Sequence, residues 1–114
     1  MSDCLFCKIV AGEIPSDEVA ASANTYAFRD IQATAPTHVL VVPRQHIDNA
    51  GDLRPEHAEV LAEMFSTAQQ VAAAAGVADT GYRLVFNVGR DANNSVPHLH
   101  LHVIGGRQMG WPPG

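Results

Sequence analysis

Three histidines alternate with aliphatic residues in the stretch SVPHLHLHVIGG: His98, His100 and His102, with Leu99 and Leu101 between them. A side-chain period of two is that of a β-strand, so the spacing predicts imidazoles in a row on one face, ~7 Å from one to the next. Leu99, Leu101, Val103 and Ile104 are then expected to face a core. Imidazole works near neutral pH as base, nucleophile or metal ligand. A merely solvated strand face does not call for histidine, so the row points to chemistry. Two mechanisms use such a pair. In a catalytic zinc site, alternating imidazoles share a metal that keeps one position open. In nucleophilic catalysis, one ring attacks phosphorus or a carbonyl while its neighbours arrange charge around it. The spacing alone does not choose between them.

A second constellation lies far from the first in sequence: Cys4 and Cys7 in CLFC, with His46 in PRQH. Cys-x-x-Cys is a common zinc half-site that needs further ligands. A redox pair is the competing reading, though no thioredoxin-like βαβ context precedes the motif. Two plain thiols near a frayed end are the third.

These side chains need a scaffold, and the chain supplies one in short pieces. CKIVAGEIP reads as a brief helical turn stopped by Gly12 and Pro15. DEVAAS and TYAFRD alternate as two short strands around a turn near Ala23 and Asn24. THVLVVP carries Val39 to Val42 as consecutive apolar residues ended by Pro43, the pattern of a central strand buried on both faces. RPEHAEVLAEMFSTAQQVAAAAG is a helix, with Pro55 at its first position, Glu56 and Glu59 at the positive end of the dipole, and Gly76 at its stop. Leu61, Met64, Phe65, Ala68, Val71, Ala72 and Ala75 form its apolar stripe, expected to pack on the sheet. The small surface from Ala72 to Ala75 also suits close contact with a second helix in a dimer. YRLVFNVG predicts another strand with Leu84, Phe86 and Val88 on one side, and DANNS a polar loop before the histidines. The tail GGRQMGWPPG holds too much Gly and Pro for regular structure. The sum is one α+β domain over residues 1–114.

Composition narrows the function. At 114 residues, 46% hydrophobic and 17% charged, the chain is an ordinary globular domain able to bury its own core. A formal charge of −5, with only seven Lys and Arg, argues against nucleic acid as a partner. A phosphate-bearing ligand is therefore expected to be small and held by amides, hydroxyls and imidazoles. No apolar run approaches the ~20 residues of a membrane span. MSDCLFCKIV lacks the pattern of a signal peptide, so the expected location is cytoplasmic.

HLHLHVI matches the pattern His-x-His-x-His followed by two apolar residues, and so resembles the histidine-triad (HIT) superfamily. AFRDIQATAPTHVLVVPRQHI resembles the first half of that family, and GGRQMGWPPG is similar to the ending of its Hint branch. The resemblance covers nearly the whole chain. It implies a HIT-like fold, an antiparallel sheet of about five strands with one long helix and a short N-terminal helix. It further implies a homodimer whose sheets join across the interface. It also implies a purine nucleoside phosphoramidase, which cleaves the P–N bond of adenosine or guanosine phosphoramidates without a cofactor for the chemistry.

By the same resemblance His100 is the nucleophile that forms a nucleotidyl-histidine, and His98 and His102 bond the phosphate or orient the ring. Ser95 corresponds to a hydroxyl that contacts phosphate and helps protonate the departing amine, and Asn87 to a side chain in the same region. His38, in APTH, matches a fourth, supporting histidine. Asp30 matches the acid that binds both ribose hydroxyls; the bare sequence reads it equally well as a turn residue. Phe6, Ile9, Ile14, Phe28 and Ile31 resemble the apolar slot around the purine, and each also reads as ordinary core. Trp111 is similar to a tryptophan that reaches the partner subunit's leaving-group pocket, the alternative being an untethered tail. Related uridylyltransferases place zinc on a Cys-x-x-Cys pair, a separate histidine and the first motif histidine. Carried over, Cys4, Cys7, His46 and His98 would make a closed structural zinc site. Pro97, Gly110 and Asn94 depart from the branch pattern, which bears on the leaving group more than on the reaction. Rival readings are a dinucleoside polyphosphate hydrolase similar to the Fhit branch, a nucleotide-binding scaffold module, and a catalytic metal held by His98 and His100.

Overall fold

The computed structural model describes residues 3–114. In chain order it contains α1 (Leu5–Val10), β1 (Glu18–Ala21), β2 (Thr25–Arg29), β3 (Thr37–Pro43), α2 (Ala58–Ala75), β4 (Tyr82–Val85) and β5 (Leu101–Gly105). The strands form one five-stranded antiparallel sheet in the order β1-β2-β3-β5-β4. Every residue of β3 is buried, as its unbroken apolar run requires of a central strand.

Each strand's alternation sends side chains to two different cores. On one face Ala27, Val39, Val41, Leu99, Leu101 and Val103 meet Met64, Ala68 and Val71 of α2. On the other, Phe28, Leu40 and Val42 meet Phe6 and Ile9 of α1. Pro55 opens a 3-10 turn that runs directly into α2, and Gly76 ends the helix in the left-handed conformation at φ 77°. Glu63 on α2 accepts bonds from Ser22 and from both nitrogens of Asn24, fixing the β1–β2 turn against the helix.

Four expectations need correction. The ladder of the histidine strand begins at Leu101, not at His98. Opposite it, β3 runs out at Pro43, which has no N–H to give, and the Leu99 amide bonds Ile47 instead. Alternation of faces still persists back to Leu99, which is 1% exposed in the α2-side core. Ile104 has the parity of the histidines and is only half-buried, so it does not join Leu101 and Val103 in the core. β4 stops at Val85; it is an edge strand whose Leu84 is exposed, as is Val88 beyond its end, while Phe86 packs edge-on against Phe65. Ala75 is exposed at the end of α2, and Thr67 takes a buried place through a 2.7 Å bond to Thr25. Among the described residues no helix is long and apolar enough to cross a membrane.

Candidate active site

The histidines occupy the α1 face of the sheet. The Phe6 ring stands edge-on to both His98 and His100, with centroids 6.0 and 5.1 Å away, and His102 lies 5.1 Å beyond His100. Which ring nitrogen keeps a lone pair is set by the bond the other nitrogen makes. For every ring of the row the structure supplies that second bond.

His100 Nδ1 lies 2.7 Å from the carbonyl of His98, so Nδ1–H donates and Nε2 keeps its lone pair. At His38, Nδ1 accepts the Thr34 amide at 3.0 Å, which places the proton on Nε2. That Nε2–H reaches His102 Nδ1 at 2.9 Å, with an Asp30 carboxylate oxygen 3.3 Å away on the side. His102 then carries its own proton on Nε2, which lies 3.5 Å from Asn87 Nδ2, an amide that can accept that proton only with its oxygen turned to this side. Burial lowers the pKa of His38 against the opposing pull of Asp30. Burial first, then the neighbouring His100 and His38, lower that of His102 to about 4. Both rings are neutral at pH 7, and the relay runs in one direction only.

The second cluster is organised by the same rule with a different output. His98 is fully buried and donates Nε2–H to the Pro43 carbonyl at 2.9 Å. Its Nδ1 lone pair faces Cys4 Sγ at 3.2 Å and Cys7 Sγ at 3.4 Å. His46 donates Nε2–H to Asp48 at 2.7 Å, turning its Nδ1 to Cys7 Sγ at 3.4 Å. Cys4 Sγ also accepts the Cys7 amide at 3.3 Å, at the start of α1. The four donor atoms lie within 4.8 Å of one another. Zinc–sulfur and zinc–nitrogen bonds of ~2.3 and ~2.05 Å at tetrahedral angles give ligand edges of ~3.5 Å, so the donor set fits that ion. The carboxylate behind His46 and the carbonyl behind His98 are the usual orienting partners of metal-bound imidazoles.

Beside the triad a cavity of about 410 Å³ opens between α1 and β2, lined by Phe6, Ile9, Ile14, Phe28, Asp30 and Ile31 among others. The slot and core readings of its apolar residues hold together: Phe6, Ile9 and Phe28 are core residues whose edges also line the cavity. Ile31, 99% exposed, stands at its rim. Asp30, half-buried, lines the cavity and approaches His38 as well. Ser95 is exposed in the loop three residues before His98. Trp111 is 83% exposed; its indole meets the guanidinium of Arg83 at 5.9 Å rather than the triad of its own chain.

Several contributors carried no signal in the sequence. The carbonyls of Pro43 and His98 and the amide of Thr34 are backbone groups, invisible to residue-type reasoning. Asp48 was within reach, as a carboxylate two residues from a candidate ligand.

Comparisons agree on a single relationship. The HIT domain profile matches residues 11–109. The purine nucleoside phosphoramidase of Escherichia coli strain K12 is 41% identical over 108 residues, 95% of this chain and 91% of that one. An uncharacterized HIT-like protein of Synechococcus elongatus is 42% identical over 112 residues, 98% of this chain and 97% of that one. The crystal structure of a HIT family hydrolase from Legionella pneumophila superimposes with a TM-score of 0.96 at 49% identity, covering 98% of this chain and 100% of that one. A histidine triad nucleotide-binding protein from Candida albicans gives 0.80 at 32% identity, covering 96% of this chain and 83% of that one.

Proposed function

Because this chain belongs to the HIT domain family, we propose that it is a nucleotide hydrolase, and specifically a purine nucleoside phosphoramidase. The observation that carries the reading is the 2.7 Å bond from His100 Nδ1–H to the His98 carbonyl, which leaves Nε2 as an unshared nucleophile. The purine enters the cavity between Phe6, Ile9 and Phe28, and the Asp30 carboxylate accepts bonds from the ribose hydroxyls. The α-phosphate then meets His100. Its Nε2 lone pair attacks phosphorus, the P–N bond breaks, and the amine departs with a proton that Ser95 helps deliver. Water next attacks the nucleotidyl-histidine, releasing the nucleoside monophosphate and restoring the neutral ring. His102 Nε2–H donates to a phosphoryl oxygen throughout, which places a dipole where negative charge develops.

Cys4, Cys7, His46 and His98 would hold a structural zinc ion. Bound there, the metal would tie α1 to the segment that carries His100 and leave the nucleophile clear of it. The cytoplasm, where thiols stay reduced, suits that role. A homodimer joining the two sheets is supported by the exposed Leu84 and Val88 at the β4 edge, and would give Trp111 a partner subunit to reach. The test compares an AMP–tryptamine or AMP–lysine conjugate with diadenosine triphosphate as substrates. Preferred turnover of the conjugate is expected. Preferred turnover of the dinucleotide would move the chain to the polyphosphate hydrolases, and tight AMP binding with neither turned over would leave a scaffold module.

A further inference from the structure

The motif GGR at residues 105–107 has no part in the chemistry above, yet it touches the relay that sets it. Arg107 Nε donates to the Thr34 carbonyl at 2.9 Å. The amide of the same Thr34 bonds His38 Nδ1 at 3.0 Å, with its hydroxyl 3.4 Å from that nitrogen. His38 Nε2–H in turn reaches His102 Nδ1 at 2.9 Å. One side chain of the C-terminal segment thus grips the residue that decides which nitrogen of His38 is protonated.

The grip matters because the loop has little else to hold it. Residues 31–36 are exposed apart from the half-buried Ala35, so no core packing fixes their backbone. The Gln32 amide is tied to Asp30 within the same turn. Besides the Thr34–His38 bonds, two contacts come from the C-terminal segment. One is the Arg107 bond. The other is Gly106, whose φ of +93° lets the chain pass so close that a Cβ there would lie 3.0 Å from Pro36. A guanidinium on a carbonyl is a charge-assisted bond of fixed direction, suited to holding a peptide plane.

We propose that Arg107 is a positioning residue for the hydrolase. By bonding the carbonyl of the Thr34–Ala35 peptide it holds Thr34 in place, so that the Thr34 N–H, in the preceding peptide, stays on His38 Nδ1, His38 stays the Nε2–H tautomer and His102 presents N–H, not a lone pair, to the phosphate. Loss of the grip lets Thr34 shift, its N–H leaves His38 Nδ1, and the two rings exchange tautomers. A His102 lone pair aimed at a phosphoryl oxygen repels the charge it should stabilise.

The experiment compares the full chain with Arg107→Ala and Arg107→Lys, reading ring-nitrogen NMR spectra without substrate and kinetics with AMP–tryptamine. Arg107 is exposed, and the unfolding midpoint of each variant confirms its fold. The expected result has the His38 and His102 signals of Arg107→Ala shifting toward mixed tautomers while His46 and His98 stay in place. Its kcat should fall about tenfold with KM within about twofold, as for an interaction made in the transition state. Arg107→Lys, which keeps a donor, should recover kcat to within about threefold of the parent. Unchanged spectra in Arg107→Ala, or shifted spectra with unchanged kcat, would overturn the proposal. The kinetic arm rests on the phosphoramidase reading. If the parent turns over no phosphoramidate, that reading fails, while the spectra still decide whether Arg107 sets the tautomers.

Discussion

The two histidine clusters are built from the same side chain and do opposite things. In the Cys4–Cys7–His46–His98 group both imidazoles give Nε2–H to an oxygen and turn Nδ1 lone pairs onto sulfur. In the His38–His102–His100 group the donors pass along a chain, ending in one N–H and one lone pair at the groove. The first arrangement converges and suits a closed metal site; the second diverges and suits a substrate. What separates them is the identity of the second partner, usually a backbone group or a carboxylate, and not the histidine itself. They meet at His98, whose ring belongs to one cluster and whose carbonyl orients the nucleophile of the other.

The sharpest way to break the comparison is at His100. His100→Asn removes the attacking nitrogen and should lower turnover by at least ~10⁴-fold, while AMP binding by calorimetry stays within a few-fold. If turnover survives, the diverging cluster is not the reaction centre.

The converging cluster should fail differently. Zinc added to chelator-treated protein should raise the unfolding midpoint, by an increment of order 2–4 kcal/mol in stability. Cys7→Ser should abolish that increment. Activity at room temperature should change far less than in His100→Asn, because no member of this cluster has a ring at the groove. A collapse of turnover on chelation, with the fold intact, would put the metal in the chemistry instead.

A smaller effect separates the clusters by pH. His102 has its folded pKa lowered to about 4, chiefly by burial, below the ~6.5 of an unfolded imidazole. The unfolded chain therefore binds a proton that the folded one refuses. Stability is expected to fall as pH drops from ~6.5 toward about 4 and to level off below it. With partial exposure discounted, the loss is of order 1–2 kcal/mol, and denaturant titrations of His102→Asn should show a flatter profile over that window.

The mildest perturbation tests the ribose contact. The parent is expected to prefer AMP over 2′-deoxy-AMP, and Asp30→Asn should weaken AMP about tenfold relative to the deoxynucleotide, erasing that preference. An equal loss for both nucleotides would assign Asp30 to supporting His38 rather than to the sugar.

Much of this was legible in the chain because side-chain periodicity survives folding. The buried run of β3, the α2 stripe from Met64 to Ala72 and the alternation from Leu99 to Val103 all stand where their spacing put them, while at the start of the stripe Val60 rather than Leu61 packs on the core. The start of β5 was not legible, since it depends on where the partner strand runs out, at Pro43. The exposed Leu84 and Val88 were equally hidden, because strand order and not local sequence makes β4 an edge. In the site, residue types announced the imidazoles and thiols. The tautomers were beyond reach, because they are set by the backbone of Thr34, Pro43 and His98.

The most direct test is to quench the protein during turnover of an AMP phosphoramidate and map the modified residue by mass spectrometry. A nucleotidyl adduct on His100, absent from His100→Asn, is the predicted result. An adduct on another residue, or none while product accumulates at the normal rate, would contradict the account.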